Sequence, residues 1–212
     1  MDVHALRRYL LGKADRGDTV IVEYEPYYPI EDFSWGLLMP SLVESDSVVV
    51  ADFFGIGNLL LRNYARRVSG REYSRLIGLM KSIKVVKVGP GSASYGELLV
   101  DISPAYEPGA FLRNYHTIIS RVSRLPTKPE YLVTFGLGHY IHFGGDNAVK
   151  SLLTGISTIP LEDWVGIHFI NEAVVKREHL AILEEMASMV FRASREGISV
   201  LKEGGVIDNG RG

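Results

Sequence analysis

The chain of 212 residues carries a formal net charge of -2, with 46% hydrophobic and 23% charged residues. This balance argues against a general electrostatic attraction to nucleic acid, which needs a basic surplus or a basic face. The chain contains no cysteine, which excludes disulfides, thiolate nucleophiles and cysteine-based zinc or iron–sulfur sites. No apolar stretch reaches the roughly 20 residues that span a bilayer, and no secretory signal is visible, so we expect a cytoplasmic protein without a membrane partner. Glutamine is also missing, which together with the missing cysteine is typical of hyperthermophiles.

Apolar periodicity predicts helices and short strands that alternate along the chain. In chain order the predicted elements are helix 3–13, strand 19–24, helix 30–43, strand 47–53, helix 58–67, helix 72–82, strand 83–88, helix 110–125, strand 130–135, helix 146–154, a strand within 163–170, helix 178–187, strand 189–193 and strand 198–202. The segment between the third strand and the next helix, residues 89–109, is rich in Gly, Ser and Pro and predicts irregular structure.

This alternation predicts an α/β fold with a mostly parallel sheet and helices on both faces. The uninterrupted apolar strands agree, because a strand that is buried on both sides need not alternate with polar residues. Residues 194–197 carry a hairpin signal, so the last two strands are predicted to form an antiparallel edge. We expect one domain over residues 1–205 and a flexible tail over residues 206–212.

The order of the elements resembles RecA-superfamily domains of the KaiC-like type. Residues 20–24 correspond to the strand before the P-loop, and residues 47–53 to the second strand, which ends near the acidic Asp52. Residues 131–135 occupy the place of the Walker B strand, and residues 180–205 look like the closing helix, strand and hairpin. The sequence is most similar to an uncharacterised archaeal domain-of-unknown-function family, number 257, with degenerate nucleotide motifs. The resemblance implies a RecA-like doubly wound fold and brings no assigned activity.

The motifs that grip and hydrolyse ATP are absent from the corresponding positions. A P-loop needs G-x-x-x-x-G-K-[ST] after the first strand, whereas residues 25–31 read EPYYPIE. The prolines remove backbone donors, and Glu25 and Glu31 would repel phosphate. The Walker B strand runs into Gly136, where a magnesium-coordinating acid is expected. The sequence therefore predicts no ATP turnover and no cofactor, and it favours a protein that is not an enzyme.

Two functions remain open on these grounds. The first is a non-catalytic RecA-like protein that acts in regulation or scaffolding through protein–protein contacts, as a homo-oligomer. The alternative is a protein that binds a small molecule or nucleotide at the carboxyl ends of the strands, without a functional P-loop. The residues predicted to line that cleft are Glu25, Tyr27, Asp52, Phe53, His139 and Asn171. Its carboxylates suit a cationic or neutral ligand better than a nucleoside triphosphate.

A metal-dependent hydrolase that uses His139, His142 and Asp146 is a third alternative. Two histidines and a carboxylate near strand ends are ligands that a divalent metal accepts. However, H-x-x-H in an extended chain places the two rings on opposite faces. The sequence therefore predicts no metal site here.

Overall fold

The computed structural model describes residues 1–45, 47–158 and 163–203. The first half of the chain contains α1 (Val3–Lys13), β1 (Thr19–Tyr24), α2 (Ile30–Phe33), a π-helical turn (Ser34–Leu38), α3 (Met39–Ser45), β2 (Val48–Phe53), α4 (Ile56–Ala65), α5 (Gly70–Met80), β3 (Lys84–Val88) and β4 (Glu97–Ile102). The second half contains α6 (Pro108–Val122), β5 (Tyr131–Phe135), α7 (Leu137–Thr158), β6 (Val165–Asn171), a 3-10 turn (Glu172–Val174), α8 (Arg177–Met186), β7 (Met189–Ser194) and β8 (Gly197–Lys202).

The eight described strands form one sheet in the order β4-β3-β2-β5-β6-β1-β7-β8. Each neighbouring pair is parallel except β7 and β8, which form an antiparallel hairpin. Helices α1 to α5 pack on one face of the sheet, and α6 to α8 pack on the other. The predicted α/β fold, a doubly wound and mostly parallel sheet with helices on both faces and a C-terminal hairpin, is confirmed by this arrangement.

The direction of the strand connections reverses at two places in the sheet. The connections that leave β1 and β2 lead toward the β4 edge, whereas those that leave β5 and β6 lead toward the β8 edge. Crevices therefore open outside the carboxyl ends of the β6–β1 pair and of the β2–β5 pair. Ligands of doubly wound proteins bind at such topological switch points.

Part of the segment predicted to be irregular, residues 89–109, is a regular edge strand. Residues 97–102 form β4, which pairs in parallel with β3. The prediction was wrong because β4 lies at the edge of the sheet and exposes residues such as Glu97 and Leu98. It therefore lacks the uninterrupted apolar run that marks strands buried on both faces.

Helix α7 begins nine residues earlier than the predicted helix 146–154. The structure has a kink just before Asp146. Gly145 adopts φ 54° and ψ -138° inside the helical segment, a conformation that glycine reaches without steric cost. As a consequence His139 lies on the first half of a helix and not in an extended chain.

The remaining predictions on organisation concern the ends of the chain. The predicted tail at residues 206–212 lies outside the described residues, and the single domain over residues 1–205 stays a prediction. Within the part of the chain that the structure describes, no helix is both long enough and apolar enough to cross a bilayer.

Candidate functional site

A polar cleft of about 460 Å³ lies near the carboxyl ends of β1, β6 and β7, on the face covered by α8. It adjoins the switch point between β6 and β1. Residues from β1, the 3-10 turn, α8 and the terminal hairpin line the cleft: Glu23, Glu172, Ala173, Val175, Arg177, Leu180, Arg192 and Leu201. We refer to it as the Glu23 cleft.

Glu23 is a carboxyl group placed in the interior of the protein. It is the fifth residue of β1, and only 1% of its surface is exposed. Its Oε1 atom accepts no hydrogen bond from an N–H or hydroxyl group among the described residues, and the Glu23 carboxyl shares a side-chain hydrogen bond with Glu184. Burial is the largest cause that raises the pKa of Glu23 to about 8, and the neighbouring carboxylate of Glu184 raises this pKa further. The positive charge of Arg177 acts in the opposite direction. The group is therefore mostly protonated at neutral pH, and buried groups of this kind are concentrated at functional sites.

Two ion pairs flank Glu23. Arg192 is its register partner on β7 and donates two hydrogen bonds of 2.8 Å to the two carboxylate oxygens of Glu172. Arg177, at the start of α8, donates to both oxygens of Glu184 at 2.5 and 3.2 Å. Both guanidinium groups are thus bound to carboxylates other than Glu23. Three carboxyl groups and two guanidinium groups lie in or beside the cleft, so their charges balance while Glu23 is protonated and leave one negative charge when Glu23 ionises.

Glu25 and Tyr27, two of the predicted site residues, lie beyond the end of β1 at the edge of this region. The Oε1 atom of Glu25 is 3.8 Å from Nη2 of Arg192, which lines the cleft. Its Oε2 atom accepts a 3.3 Å hydrogen bond from the backbone N–H of Arg195. Tyr27 is 79% exposed, and the guanidinium carbon of Arg195 lies 5.2 Å from its ring centroid. Arg195 therefore contacts both predicted residues.

Asn171 shapes the turn that carries an acidic residue of the cleft. It is the last residue of β6, and its Oδ1 atom accepts a 3.0 Å hydrogen bond from the backbone N–H of Ala173. Side chains of this type stabilise the first turn of a helix in this way. The bond fixes the start of the 3-10 turn and so places Glu172 against Arg192. Asn171 therefore positions a residue of the cleft without lining it.

Asp52 and Phe53 lie at the other switch point, between β2 and β5, and point to opposite faces of the sheet. The buried carboxylate of Asp52 accepts hydrogen bonds from the backbone N–H groups of Gly57 at 2.8 Å and Asn58 at 3.0 Å. The hydroxyl of Tyr95 donates a third bond to it at 3.1 Å. Burial raises the pKa of Asp52, and these three bonds act in the opposite direction. Asp52 therefore occupies the start of α4, where a bound anion would otherwise accept the same bonds.

The structure brings two side chains of the metal hypothesis, His139 and His142, onto one helix, whereas Asp146 is bound to His179. His139 and His142 lie three residues apart on α7, so the predicted placement on opposite faces of an extended chain is wrong. The Nδ1 atom of His142 lies 3.0 Å from the carbonyl oxygen of Val174, and Asp146 pairs with His179 at 2.9 Å. Burial and the charge of His142 lower the pKa of His139. Within residues 1–45, 47–158 and 163–203, no three His, Asp or Glu side chains are placed to hold a metal ion.

The six predicted site residues are therefore divided among three places. The surroundings of the Glu23 cleft include Glu25, Tyr27 and Asn171, whereas the β2–β5 switch point has Asp52 and Phe53. His139 stands apart on α7. Their role in ligand binding stays a prediction.

The segment after β1 forms a tight turn and an acidic helix start. The backbone N–H of Tyr28 donates to the carbonyl of Glu25 at 3.0 Å, which closes the turn. The four-residue helix α2 follows and carries Glu31 and Asp32 in its first turn. Arg67 pairs with both of these carboxylates, at 2.7 and 2.8 Å. The start of α2 is therefore occupied by the protein's own acidic groups.

Gly136 follows the strand that occupies the Walker B place. Its φ of 78° lies in the left-handed region, which disfavours a residue with a side chain. A Cβ atom at this position would lie 2.4 Å from the carbonyl oxygen of Phe53. An acidic side chain does not fit here unless the backbone moves.

Sequence reasoning missed Glu23 and Arg192, the two residues at the centre of the cleft. The signal was present, because each is a charged residue inside an apolar strand, TVIVEY and MVFRAS. Charged residues are almost never fully buried unless they are paired. A carboxylate predicted inside a central strand therefore indicates either an ion pair or a functional group.

The strand order and the terminal hairpin define the protein as a doubly wound α/β domain. Residues 9–204 match the family described as "Pyrococcus protein of unknown function, DUF257", and the chain belongs to that family. The family resemblance seen in the sequence is thereby confirmed. No curated protein is detectably similar to the chain.

Solved structures from archaea share the fold. PH0250 from Pyrococcus horikoshii OT3 has a TM-score of 0.71 at 19% identity, over 97% of this chain and 94% of that chain. The uncharacterized protein PH0321 from Pyrococcus horikoshii, solved in complex with an unknown peptide, has a TM-score of 0.55 at 13% identity, over 96% of this chain and 91% of that chain. The likeness to these two structures shows the fold alone.

Proposed function

We propose that the protein binds a small organic cation, through an ammonium or guanidinium group, in the Glu23 cleft. The observation that carries this proposal is the buried carboxyl of Glu23, a residue that lines the cleft, whose Oε1 atom accepts no hydrogen bond from an N–H group among the described residues and whose neighbour is the Glu184 carboxyl. A buried polar atom without a partner costs about 1 to 3 kcal/mol, and a bound N–H group would supply the missing bond. The neighbouring Glu184 carboxylate is already paired with Arg177, so the negative charge for the ligand comes from Glu23 when it ionises.

Cation binding and the ionisation of Glu23 are coupled. An opposite charge within about 4 to 6 Å favours the charged form of a carboxyl group, so a bound cation lowers the pKa of Glu23 from about 8. The proton of Glu23 is then released at neutral pH. For the same reason, the affinity for a permanently charged ligand rises with pH until Glu23 is ionised in the free protein.

We propose further that the protein does not hydrolyse ATP. Glu31 and Asp32 stand in the first turn of α2 and outnumber the single Arg67 that pairs with them, so this segment repels phosphate. The segment before them, residues 25–29, is short and contains two prolines. Gly136 has no room for an acidic side chain at the Walker B place. Phosphoryl transfer depends on the groups that position and neutralise the phosphates, and these positions supply none. Magnesium-dependent ATP hydrolysis that persists through rigorous purification would contradict this proposal.

Binding titrations with agmatine test the cation proposal, because agmatine carries both an ammonium and a guanidinium group. We expect saturable binding by the wild type and at least a tenfold loss of affinity in Glu23→Gln, since a charge-assisted hydrogen bond is worth about 1.5 to 3 kcal/mol. Glu97→Gln removes an exposed carboxylate on β4 and serves as the matched control with unchanged affinity. Equal affinities in Glu23→Gln and the wild type would overturn the proposal.

Regulation or scaffolding through protein contacts is the second candidate, and it uses the same cleft. Leu201, on the edge strand β8, lines the cleft and is 51% exposed. If a protein partner places a Lys or Arg side chain in the cleft, the partner's residues on either side of that Lys or Arg would cover Leu201. The relative PH0321, which was solved with an unknown peptide, supports recognition of a peptide segment. Self-association through such a contact is part of this candidate.

The two candidates differ in their dependence on Leu201. If the physiological ligand is a peptide segment, Leu201→Ser weakens the binding of an arginine-containing pentapeptide by about tenfold and leaves agmatine unaffected, because burying a leucine side chain is worth about 1.5 to 3 kcal/mol. If a free small cation is the ligand, the pentapeptide binds no more tightly than agmatine. Sedimentation velocity over a range of protein concentrations decides whether the chain associates with itself.

A further inference from the structure

Two adjoining apolar cavities of about 150 and 240 Å³ lie between the sheet and helices α6 to α8. The larger one reaches the start of β1, at the opposite end of that strand from the Glu23 cleft. The cavities share a set of lining residues: Phe111, Tyr115, Leu132, Leu137, Leu152, Trp164 and His168. We refer to the two together as the His168 cavity.

Helix α6 packs loosely over this cavity. Of the 15 residues of this helix, only Val122 is buried. Its apolar side chains Phe111, Ile118 and Ile119 line the cavity and remain partly exposed. Most of the stability of a helix in a protein comes from burying its apolar face. A face left in contact with an open cavity therefore points to an occupant that completes the packing.

Three of the residues that line the cavity each carry a buried polar atom without a hydrogen-bond partner in the described part of the chain. These atoms are Nδ1 of His168, Nε1 of Trp164 and the hydroxyl of Tyr115. The three side chains belong to β6, to the segment just before β6 and to α6. Buried polar atoms without a partner are rare in native proteins, so three of them around one cavity indicate a missing polar group.

The chemistry of these atoms restricts the ligand. The indole N–H of Trp164 can only donate, so the ligand must present an acceptor. Burial lowers the pKa of His168 to about 4, and its imidazole is neutral at neutral pH. No Lys or Arg lines the cavity among the residues described, and Asp18 stands at the wall of the larger part. A carboxylate or phosphate would remain unneutralised there, so the group is uncharged.

We propose that the His168 cavity is a second binding site, which takes an uncharged and largely apolar molecule with one hydroxyl or carbonyl group. Tyr115, Trp164 and His168 hold the oxygen of that group, while the apolar walls take the carbon skeleton. An apolar cavity of about 150 Å³ in another protein accepts benzene, so the two parts together accommodate a bicyclic ring or a chain of similar bulk. The site is independent of the Glu23 cleft.

Fluorescence titrations with 1-naphthol and naphthalene test this proposal, because the two probes differ by one hydroxyl group. We expect saturable binding of both, with 1-naphthol bound about 3- to 10-fold more tightly through its hydrogen bonds. Tyr115→Phe removes one hydroxyl, so this preference is expected to shrink while the affinity for naphthalene stays unchanged. Tyr73→Phe, which changes an exposed tyrosine on α5, is the matched control.

A second variant tests the place of binding without using a polar group. Leu152→Trp adds bulk inside the cavity and is expected to weaken both probes by more than about tenfold. The proposal would be overturned if the wild type bound the two probes with equal affinity. It would also be overturned if neither Tyr115→Phe nor Leu152→Trp changed the affinities. Absence of saturable binding up to the solubility limit of the probes would do the same.

Discussion

Replacing Glu23 with glutamine is expected to stabilise the protein at alkaline pH and to change its stability little at acidic pH. The pKa of Glu23 rises from an ordinary 4.5 to about 8 in the folded protein. The contribution of this carboxyl to stability is therefore fully present below about pH 4.5 and is lost as the pH rises through about 8. Since one pKa unit corresponds to about 1.4 kcal/mol, the loss amounts to roughly 2 to 5 kcal/mol. Glutamine has nearly the same shape and does not ionise, so it avoids this loss.

Urea unfolding at about pH 5 and about pH 9 measures the difference in the free energy of unfolding between Glu23→Gln and the wild type. Urea is preferable to guanidinium chloride, because guanidinium is itself a cation of the class proposed to bind in the cleft. Glu97→Gln, at an exposed position, is expected to change the free energy of unfolding by less than about 0.5 kcal/mol at either pH. If Glu23→Gln were less stable than the wild type at about pH 9, Glu23 would be a stabilising carboxylate and not a buried, protonated one.

Replacing Asp52 with alanine is expected to destabilise the protein by about 3 to 5 kcal/mol. The change leaves the N–H groups of Gly57 and Asn58 and the hydroxyl of Tyr95 without an acceptor in the interior. Each unsatisfied buried group costs about 1 to 3 kcal/mol. In a chain of this length about 1 kcal/mol changes the melting temperature by 2 to 4 °C, so calorimetry should record a decrease of roughly 10 °C.

Tyr95→Phe is the graded control for Asp52, because it removes one of the three bonds. Its expected cost is about 1 kcal/mol, well below that of Asp52→Ala. A stability of Asp52→Ala within about 0.5 kcal/mol of the wild type would show that the carboxylate does not hold the start of α4. In that case the sequence prediction that Asp52 serves a ligand would gain support.

The fold was largely predictable from the sequence because most of its strands are covered on both faces. β1 and β2 lie between two layers of helices, so both sides of each strand are apolar and the run is visible in the sequence. β4 was missed because one of its sides faces solvent. The length of α7 was missed because two consecutive glycines, Gly144 and Gly145, are typical of a helix end. In the structure the helical segment continues past them with a kink at Gly145.

The candidate sites were less predictable, because they depend on contacts between residues that are distant in the chain. Glu23 and Arg192 become neighbours only through the parallel register of β1 and β7. The sequence places Glu25 near this region, since it directly follows a strand end, but gives no sign that Glu184 on α8 faces Glu23. The His168 cavity is also invisible in the sequence, since the spacing of apolar residues on α6 predicts a packed face.

Both proposed sites lie on the face of the sheet covered by α6 to α8, while the opposite face is closed by the largest hydrophobic core. The switch point at β2–β5 is filled by Asp52, Tyr95 and the start of α4. The switch point at β6–β1 adjoins an open cleft that is lined by the buried carboxyl of Glu23. In our proposal the cleft beside the β6–β1 switch point takes the ligand, and the ionised carboxyl of Glu23 suits a cation.

Proton release on cation binding tests the role of Glu23 most directly. Calorimetric titrations with agmatine at about pH 7, in two buffers with different heats of protonation, measure the number of protons released per ligand. Because Glu23 is protonated in the free protein and ionised beside a bound cation, we predict release of close to one proton by the wild type and none by Glu23→Gln. Binding without proton release in the wild type, or no saturable binding at millimolar agmatine, would contradict the assignment of the cleft as a cation site.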